Sequence, residues 1–479
     1  MTFPKITSFK SVDDFQPHIN ALPIEMPFDA DVQSGSDSPL ASPLSTACGT
    51  VGNRFSILPM EGWDGTTDGQ PTDLTTRRWQ RFGLSGAKLI WGGEAIAVTP
   101  EGRANPNQLM MNPSTKSAIA SLRKTLVDAH AEACGNVDDL KVGLQLTHSG
   151  RFARPNKKDT IEPTIAYAHP ILDPRFKIAD SAAVTISDDG LKQLIETFVE
   201  AAKMAADIGF DFVDIKQCHG YFGHELLSGF DRPGEFGGSF ENRTRFIREI
   251  ISGIQAESKI AIGSRVSIFD FAPFTKSQSA VGISQSDGPY AHAFGGDGTG
   301  EGINLEEPKR VLKMMSEQGV KMICTTAGSP YYNPHIQRPA TAPPSDGYLP
   351  PEDPLVGVAR QIQATAEMKR ALPDTLFVGS GYSYLQDWLP NVGQAVISAG
   401  MADSIGLGRM VLSYPDMPID VIAGNKLQRK KICRTFSDCT TAPRNALVSG
   451  CYPLDPFYKD RPERKQLIQI KKDAIPKAS

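Results

Sequence analysis

Apolar positions recur with two alternating spacings along most of this chain. From about residue 51 onward, short runs of apolar and β-branched residues are each followed by a longer segment in which apolar residues recur at helical spacing. The short runs predict eight strands, over residues 54–59, 87–91, 141–147, 212–216, 261–267, 320–325, 376–379 and 403–406. The longer segments predict helices over residues 75–84, 114–133, 188–206, 241–256, 306–318, 354–371 and 384–399.

This alternation of strands and helices indicates the fold class. Strands separated by helices form parallel βαβ units, and eight such units are the number that closes a (β/α)8 barrel. We therefore predict an α/β protein built on a single TIM barrel over residues 51–430. Residues 1–50 are expected to be an N-terminal extension with little regular structure, because they show no sustained period and include a linker-like segment at 33–39. Residues 431–479 are expected to form a C-terminal tail.

Composition and charge narrow the class of protein. Hydrophobic residues make up 40% of the chain, enough for a large core. Lys plus Arg (50) and Asp plus Glu (54) nearly balance at a net charge of −4, which disfavours nucleic-acid and anionic-membrane partners. No apolar run of about 18 residues predicts a membrane span, and the start shows no signal-peptide pattern. Seven cysteines favour a reducing compartment. We expect a cytoplasmic enzyme for a small-molecule substrate, of unspecified oligomeric state.

Glycines and an arginine follow the last two predicted strands. The seventh runs into Gly379-Ser380-Gly381, and the eighth runs into Gly406-Leu407-Gly408-Arg409. TIM barrels usually hold phosphate at these two positions, where glycines expose backbone N–H groups and an arginine can bind a phosphate monoester with two hydrogen bonds. We interpret the two loops together as a phosphate site. The alternative is that the glycines only let the chain turn and that Arg409 is a surface charge.

Two polar side chains are expected to point into the barrel. Gln145 lies in the third predicted strand and Arg265 in the fifth. A buried amide and a buried guanidinium both need polar partners. A flat heteroaromatic ring with carbonyl and imide edges would supply them, and an arginine salt bridge across the barrel is the alternative.

Several motifs at the strand ends resemble one enzyme family. They are Asn53-Arg54 leading to Pro59-Met60, Glu94-Ala95, the Asp-Ile-Lys-Gln-Cys-His-Gly-Tyr run from 214, Gly-Gly-Ser-Phe-Glu-Asn-Arg from 237, and the Gly-x-Gly-Arg at 406–409. Together they are similar to the Old Yellow Enzyme family over about residues 51–430. Within it, the chain looks closer to the branch of the 2,4-dienoyl-CoA reductases and trimethylamine dehydrogenase than to the short yeast-type enzymes.

The resemblance implies a cofactor and a reaction. Members of the family bind FMN at the barrel mouth, reduce it with NADH or NADPH, and pass a hydride to an electron-poor C=C bond. Carried over by position, the residues expected to bind FMN are Pro59, Met60, Glu61, Ala95, Gln145, Arg265, Gly379, Gly381, Gly408 and Arg409. His219 would bind the substrate carbonyl oxygen, where enolate charge builds up. Tyr221 would donate the proton that the α-carbon needs.

Two residues depart from the family pattern and leave a second function open. Lys216 stands where the family often has His, and Glu61 stands where it usually has a small residue beside the flavin. Because an uncompensated buried carboxylate is costly, we expect Glu61 and Lys216 to pair in the pocket, with catalytic relevance for Lys216. Otherwise Glu61 turns to solvent and Lys216 pairs with Asp214 or another surface acid. A base here also suits an FMN-dependent dehydrogenase or demethylase acting oxidatively on an amine or alcohol.

The remaining candidates are histidines and cysteines. His148 is expected near the flavin in a supporting role, and His224 is expected to be a structural, hydrogen-bonded residue. A metal-dependent hydrolase built on these and His219 is a remote alternative, because their spacing is not that of a compact metal site.

Iron–sulfur relatives ligate their cluster with Cys-x2-Cys-x3-Cys-x11-Cys. Here the interval from Cys439 to Cys451 survives, but the earlier slots hold Thr435 and Ile432, with Cys433 displaced by one. We therefore expect FMN and no metal. A second dinucleotide-binding domain is not expected either, since no Gly-x-Gly-x-x-Gly fingerprint is present.

Overall fold

Eight parallel strands form a closed barrel in the computed structural model, which describes residues 3–474 of the chain. The strands are β1 (Phe55–Ile57), β2 (Leu89–Ile90, continued by Ala95–Ala97), β3 (Lys141–Thr147), β4 (Phe212–Gln217), β5 (Ala261–Ser267), β6 (Met322–Thr326), β7 (Leu376–Gly379) and β8 (Ser404–Leu407). Each strand pairs with the next in parallel, and β8 returns to β1 through the Ile405–Phe55 register. The predicted α/β class and single (β/α)8 TIM barrel are confirmed.

Helices on the outside of the barrel connect the strands. The principal ones are Asp73–Gly83, Lys116–Cys134, Asp188–Asp207, Arg245–Glu257, Glu306–Glu317, Pro354–Ala371, Leu389–Ser398 and Met417–Ala423. Shorter helices at Phe222–Leu227, Phe240–Arg243, Pro334–Gln337 and Met410–Ser413 lie in the loops. The helix predicted at 384–399 is divided, because Gln386 has a left-handed φ of 55° and a 3-10 turn at Tyr382–Trp388 precedes the α-helix. Over the described residues, no helix is both long and apolar enough to cross a membrane.

The N-terminal extension is more regular than its sequence predicts. It contains a helix at Val12–Asn20 and a hairpin of Leu44–Thr46 with Gly49–Val51, so the expectation of little regular structure was wrong. The helix is short but has a capping box, and its buried Phe15 stacks on Trp388 at 4.8 Å. The hairpin packs Leu44 against the apolar cluster inside the barrel. The order of this segment therefore comes from tertiary contacts. Its elements are too short to show a sustained hydrophobic periodicity in the sequence.

The long loop that follows β3 is anchored by buried charges. Arg151, in the 3-10 turn Gly150–Phe152 after the strand, is 1% exposed and donates through Nε to Glu225 at 3.0 Å. Its guanidinium also pairs with Asp173, in the short helix Leu172–Arg175. Removing one partner of such a pair leaves the other charge buried and uncompensated, which costs about 3–5 kcal/mol of stability. The anchor holds the β3 and β4 loops together at the carboxyl end of the barrel.

The C-terminal tail lies over the same end of the barrel. Its helices are Asp438–Arg444, Pro456–Lys459 and Glu463–Ala474. Arg77, in the helix after β1, donates two hydrogen bonds to Asp455, at 2.9 and 3.0 Å. Arg444 forms an ion pair of 2.6 Å with Asp346, in the loop after β6. The last tail residues, 475–479, lie outside the described part of the chain, as do residues 1–2 of the extension.

Candidate active site

A cavity opens at the carboxyl ends of the barrel strands. It encloses about 1180 Å³, its open mouth included. Its wall is formed by Leu58, Pro59, Met60, Glu61, Trp63, Gln145, Lys216, His219, Tyr221, Arg265, Pro330, Tyr331, Gln337, Arg338, Ser380, Gly381, Ser383, Gly406, Gly408, Arg409, Cys439, Thr440, Pro443, Arg444 and Ser449. The structure therefore brings together the site residues predicted from the sequence, except Ala95 and Gly379. Those two lie in the strands behind the wall: Ala95 pairs with Gln145, and a Cβ on Gly379 would meet the Tyr382 hydroxyl at 2.6 Å.

The inner end of the cavity is organised around Asp214. This buried carboxylate accepts hydrogen bonds from Gln145 Nε2 at 2.5 Å, Trp91 Nε1 at 2.7 Å and the Arg265 backbone N–H at 2.6 Å. Burial raises its pKa to about 6. The Arg265 guanidinium donates to Ser380 Oγ at 3.3 Å and leaves Nε buried without a partner. Within residues 3–474, Arg265 forms no ion pair across the barrel, and its side chain lines the cavity.

The outer end of the cavity is formed by the loops after β7 and β8. Gly381 has a φ of 95°, which an L side chain rarely adopts, and a Cβ there would lie 3.2 Å from Gln361 Oε1. Arg409 is 9% exposed, so it is not a surface charge. Its Nη2 donates to the Pro339 carbonyl oxygen at 3.0 Å, while Nη1 is buried without a partner. Gly381 and Arg409 thus line the same cavity.

His219 and Tyr221 project from the turn that follows β4. His219 has a left-handed φ of 67°, held by hydrogen bonds of its N–H to Ser267 Oγ (3.1 Å) and of Ser329 Oγ to its carbonyl (2.7 Å). Burial lowers the pKa of His219 well below its usual value, which keeps the imidazole neutral. Burial, and then the nearby Glu61, raise the pKa of Tyr221 well above its usual value. The Tyr221 hydroxyl lies 2.9 Å from that of Tyr331.

Glu61 and Lys216 form an ion pair in the wall of the cavity. Lys216 Nζ is 3.0 Å from Glu61 Oε1, and the other carboxylate oxygen accepts a 2.7 Å hydrogen bond from Trp63 Nε1. The ammonium group also lies 3.8 Å from the centre of the Tyr221 ring, a cation–π contact. Asp214, the alternative partner of Lys216, is occupied by the three donors described above. Glu61 and Lys216, the two residues that depart from the family pattern, are therefore in direct contact.

The other histidines lie outside this wall. His148 is buried and accepts through Nδ1 from the Gly150 N–H at 3.1 Å. His224 lies in the helix Phe222–Leu227 and accepts through Nδ1 from the Gly220 N–H at 2.9 Å, the structural position expected for it. Within residues 3–474, no group of three or more His, Cys, Asp or Glu side chains is placed to hold a metal ion.

Sequence reasoning missed two contributions to the cavity. The loop after β6 supplies Tyr331, Gln337 and Arg338, and the tail supplies a group of five, Cys439, Thr440, Pro443, Arg444 and Ser449. The loop could have been found, because a long aromatic- and arginine-containing segment after a barrel strand lies at the catalytic end. The sequence of the tail carried no such signal, because no strand position fixes where the tail packs against the barrel.

Comparisons with known proteins identify the family of this chain. The model of the NADH:flavin oxidoreductase / NADH oxidase family matches residues 39–285, more than half of the chain. An NADPH dehydrogenase of Bacillus subtilis (strain 168) is 25% identical over 382 residues, which cover 78% of this chain and 92% of that protein. An NADPH dehydrogenase of Bacillus licheniformis is 27% identical over 389 residues, which cover 80% and 94%.

Solved structures share the fold. A complex of 2-naphthoyl-CoA reductase with 2-naphthoyl-CoA superposes with a TM-score of 0.63 at 16% identity, and the match covers 91% of this chain but only 58% of that one. Morphinone reductase in complex with tetrahydroNAD gives a TM-score of 0.54 at 18% identity, covering 83% of this chain and 92% of that one. The chain belongs to the NADH:flavin oxidoreductase / NADH oxidase family, that of the Old Yellow Enzymes, and is an FMN-dependent oxidoreductase that takes its electrons from NADH or NADPH.

Proposed function

We propose that this enzyme reduces a C=C bond conjugated to a carbonyl group in a small molecule, as an ene-reductase or dienoyl reductase. The observation that carries the proposal is the position of His219 and Tyr221, which face the cavity from one turn, beside the polar groups of Gln145 and Arg265. An oxygen ligand and a general acid are the two groups that conjugate reduction needs from the protein. Two neighbours with the same fold are reductases by name.

The cavity wall carries the polar donors that FMN requires. Gln145 and the unpartnered Nε of Arg265 would meet the polar edge of the ring system, next to Pro59, Met60 and Glu61. The backbone of Gly381 and Gly408 and the unpartnered Nη1 of Arg409 would hold the phosphate group. Ala95 and Gly379 would support these contacts from behind the wall. The chemistry that bound FMN supplies is two-electron transfer from NADH or NADPH to the substrate.

The protein's own side chains would bind the carbonyl oxygen of the substrate and supply the proton for its α-carbon. The neutral imidazole of His219, which lies 3.1 Å from the Gln337 amide, would orient the carbonyl oxygen of the substrate. The Tyr221 hydroxyl would give its proton to the α-carbon. Because the pKa of Tyr221 is raised, the phenol stays protonated at neutral pH and is available as an acid. The cation–π contact of Lys216 with its ring would stabilise the orientation of Tyr221.

Replacing the acid tests this function. Tyr221→Phe should leave reduction of the flavin by NAD(P)H intact and slow turnover of an activated alkene about 100-fold or more, the range typical of a general acid. The two half-reactions are followed separately by stopped-flow absorbance of the flavin. Tyr452→Phe is a matched control, because Tyr452 is buried outside the cavity and donates only to the Val448 carbonyl. Equal losses in both half-reactions would show that Tyr221 serves packing, and the proposal would be withdrawn.

The residues of the cavity wall give less support to the alternative function, an FMN-dependent enzyme that oxidises an amine or alcohol. An amine or alcohol dehydrogenase would need Glu61 or Lys216 as a free base. Each is engaged by the other at 3.0 Å, with Trp63 and the Tyr221 ring taking up further interactions. We therefore favour the reductive direction.

A further inference from the structure

Arg338 presents a guanidinium to the cavity without an acidic partner. It follows the short helix Pro334–Gln337 in the loop after β6. Its Nη2 donates to Ser437 Oγ at 2.9 Å and its Nη1 to Thr440 Oγ1, so both partners are hydroxyl groups of the tail. Over residues 3–474, Arg338 forms no ion pair with a carboxylate.

A second guanidinium lies beside it. Arg409 donates to the carbonyl of Pro339, the residue that follows Arg338, and its Nη1 is buried without a partner. Burial lowers the pKa of Arg338, and the proximity of Arg409 lowers it further. Among the other cations of the wall, Arg444 pairs with Asp346 and Lys216 pairs with Glu61. Arg265 forms no ion pair within residues 3–474 and donates to Ser380 near Asp214.

Two like charges at the edge of one cavity call for an anion between them. Glu61, the one carboxylate among the described lining residues, is already paired with Lys216. Leaving two partly desolvated cations uncompensated is unfavourable, whereas a dianionic phosphate monoester would neutralise both and accept several hydrogen bonds. The glycine backbone of the β7 and β8 loops opens on the same side.

We propose that Arg338 is the second guanidinium of the site for the phosphate group of FMN, and that Ser437 and Thr440 of the tail position it. The inference rests on the proposed function, in that it places FMN in this cavity. It adds a residue from the β6 loop to a phosphate site otherwise built by the β7 and β8 loops. It also links the tail to the cofactor: the same guanidinium that binds phosphate would hold the helix Asp438–Arg444 in place.

The test compares FMN with riboflavin, which lacks the phosphate. The full chain, stripped of flavin, is titrated with each compound, and Kd is read from quenching of flavin fluorescence. Arg338→Gln should weaken FMN binding about 10-fold or more, corresponding to about 1.4 kcal/mol, and leave riboflavin binding within about 2-fold. Arg338→Lys keeps the charge but not the two-pronged geometry, and should give an intermediate preference for FMN. Thr440→Val should lower that preference less than Arg338→Gln does.

Arg444→Gln is the matched control. Arg444 lines the same cavity but is neutralised by Asp346, so its replacement should leave the ratio of the two Kd values as in the wild type. Equal weakening of FMN and riboflavin in Arg338→Gln, or an unchanged ratio in a variant that melts like the wild type, would overturn the role of Arg338. If the wild-type chain binds neither flavin, it is the proposed function that fails, and the two failures are thereby distinguished.

Discussion

Lys216 and Glu61 are 155 residues apart in the chain and meet in the wall of the cavity. Their side chains are 3% and 15% exposed, so water screens the pair little. A buried ion pair adds little net stability, but removing one partner costs about 3–5 kcal/mol because the other charge is left uncompensated. A pair of this kind next to a flavin would set the local field that the cofactor experiences.

The first prediction concerns the potential of the flavin. Lys216→Met should lower it, because Glu61 then faces the reduced, anionic ring without compensation, and Glu61→Gln should raise it. The double variant should lie closer to the wild type than the sum of the single shifts predicts, as expected for groups in contact. A spectroscopic redox titration of the four proteins measures this. Strictly additive shifts would show that the two charges act independently.

At the scale of elements, the glycine loops after β7 and β8 are interpreted as the phosphate site. Gly381 adopts its left-handed φ at the start of the 3-10 turn Tyr382–Trp388, and Arg409 begins the short helix Met410–Ser413. Backbone N–H groups at such turns bind anions, and a buried arginine adds charge-assisted hydrogen bonds. The two loops come from neighbouring strands, so the barrel itself fixes their separation.

The second prediction tests these loops. Arg409→Ala should raise the Kd for FMN by about 10- to 150-fold, the equivalent of roughly 1.5–3 kcal/mol for a hydrogen bond to a charged group. The flavin retained after gel filtration, and its fluorescence on release, give the occupancy. Arg360→Ala is the control, because that guanidinium pairs with Glu352 away from the cavity. Full FMN occupancy in Arg409→Ala would remove the argument for a phosphate site here.

The same scale shows what the sequence predicts and what it does not. β3, β5 and β7 begin and end where the sequence predicts them. Site residues that lie within these strands, such as Gln145 and Arg265, follow from the predicted strand positions. The helix Val12–Asn20 does not, since its order comes from the contact of Phe15 with Trp388. The sequence did not identify Arg338, because its loop shows no hydrophobic periodicity that would place the residue relative to the barrel.

At the scale of the whole molecule, the tail is better described as part of the site than as an appendage. It has a small apolar cluster of its own, in which Tyr452 packs with Tyr458 and Leu467. Charged and polar contacts attach it to the barrel, through Asp455 to Arg77 and through Ser437 to Arg338. We propose that residues 431–474 cover the cofactor cavity, whereas the sequence alone suggested only a tail with a degenerate cysteine motif.

The last prediction concerns metal in that tail. A four-iron cluster requires four thiolates, and the tail offers three, Cys433, Cys439 and Cys451. The first two slots of the relatives' four-cysteine pattern hold Ile432 and Thr435, which are 0% and 1% exposed and carry no thiol. Protein purified without oxygen should therefore contain FMN but neither iron nor acid-labile sulfide, and chelators should not change its stability. Stoichiometric iron and sulfide would mean that a non-protein ligand completes a three-cysteine site.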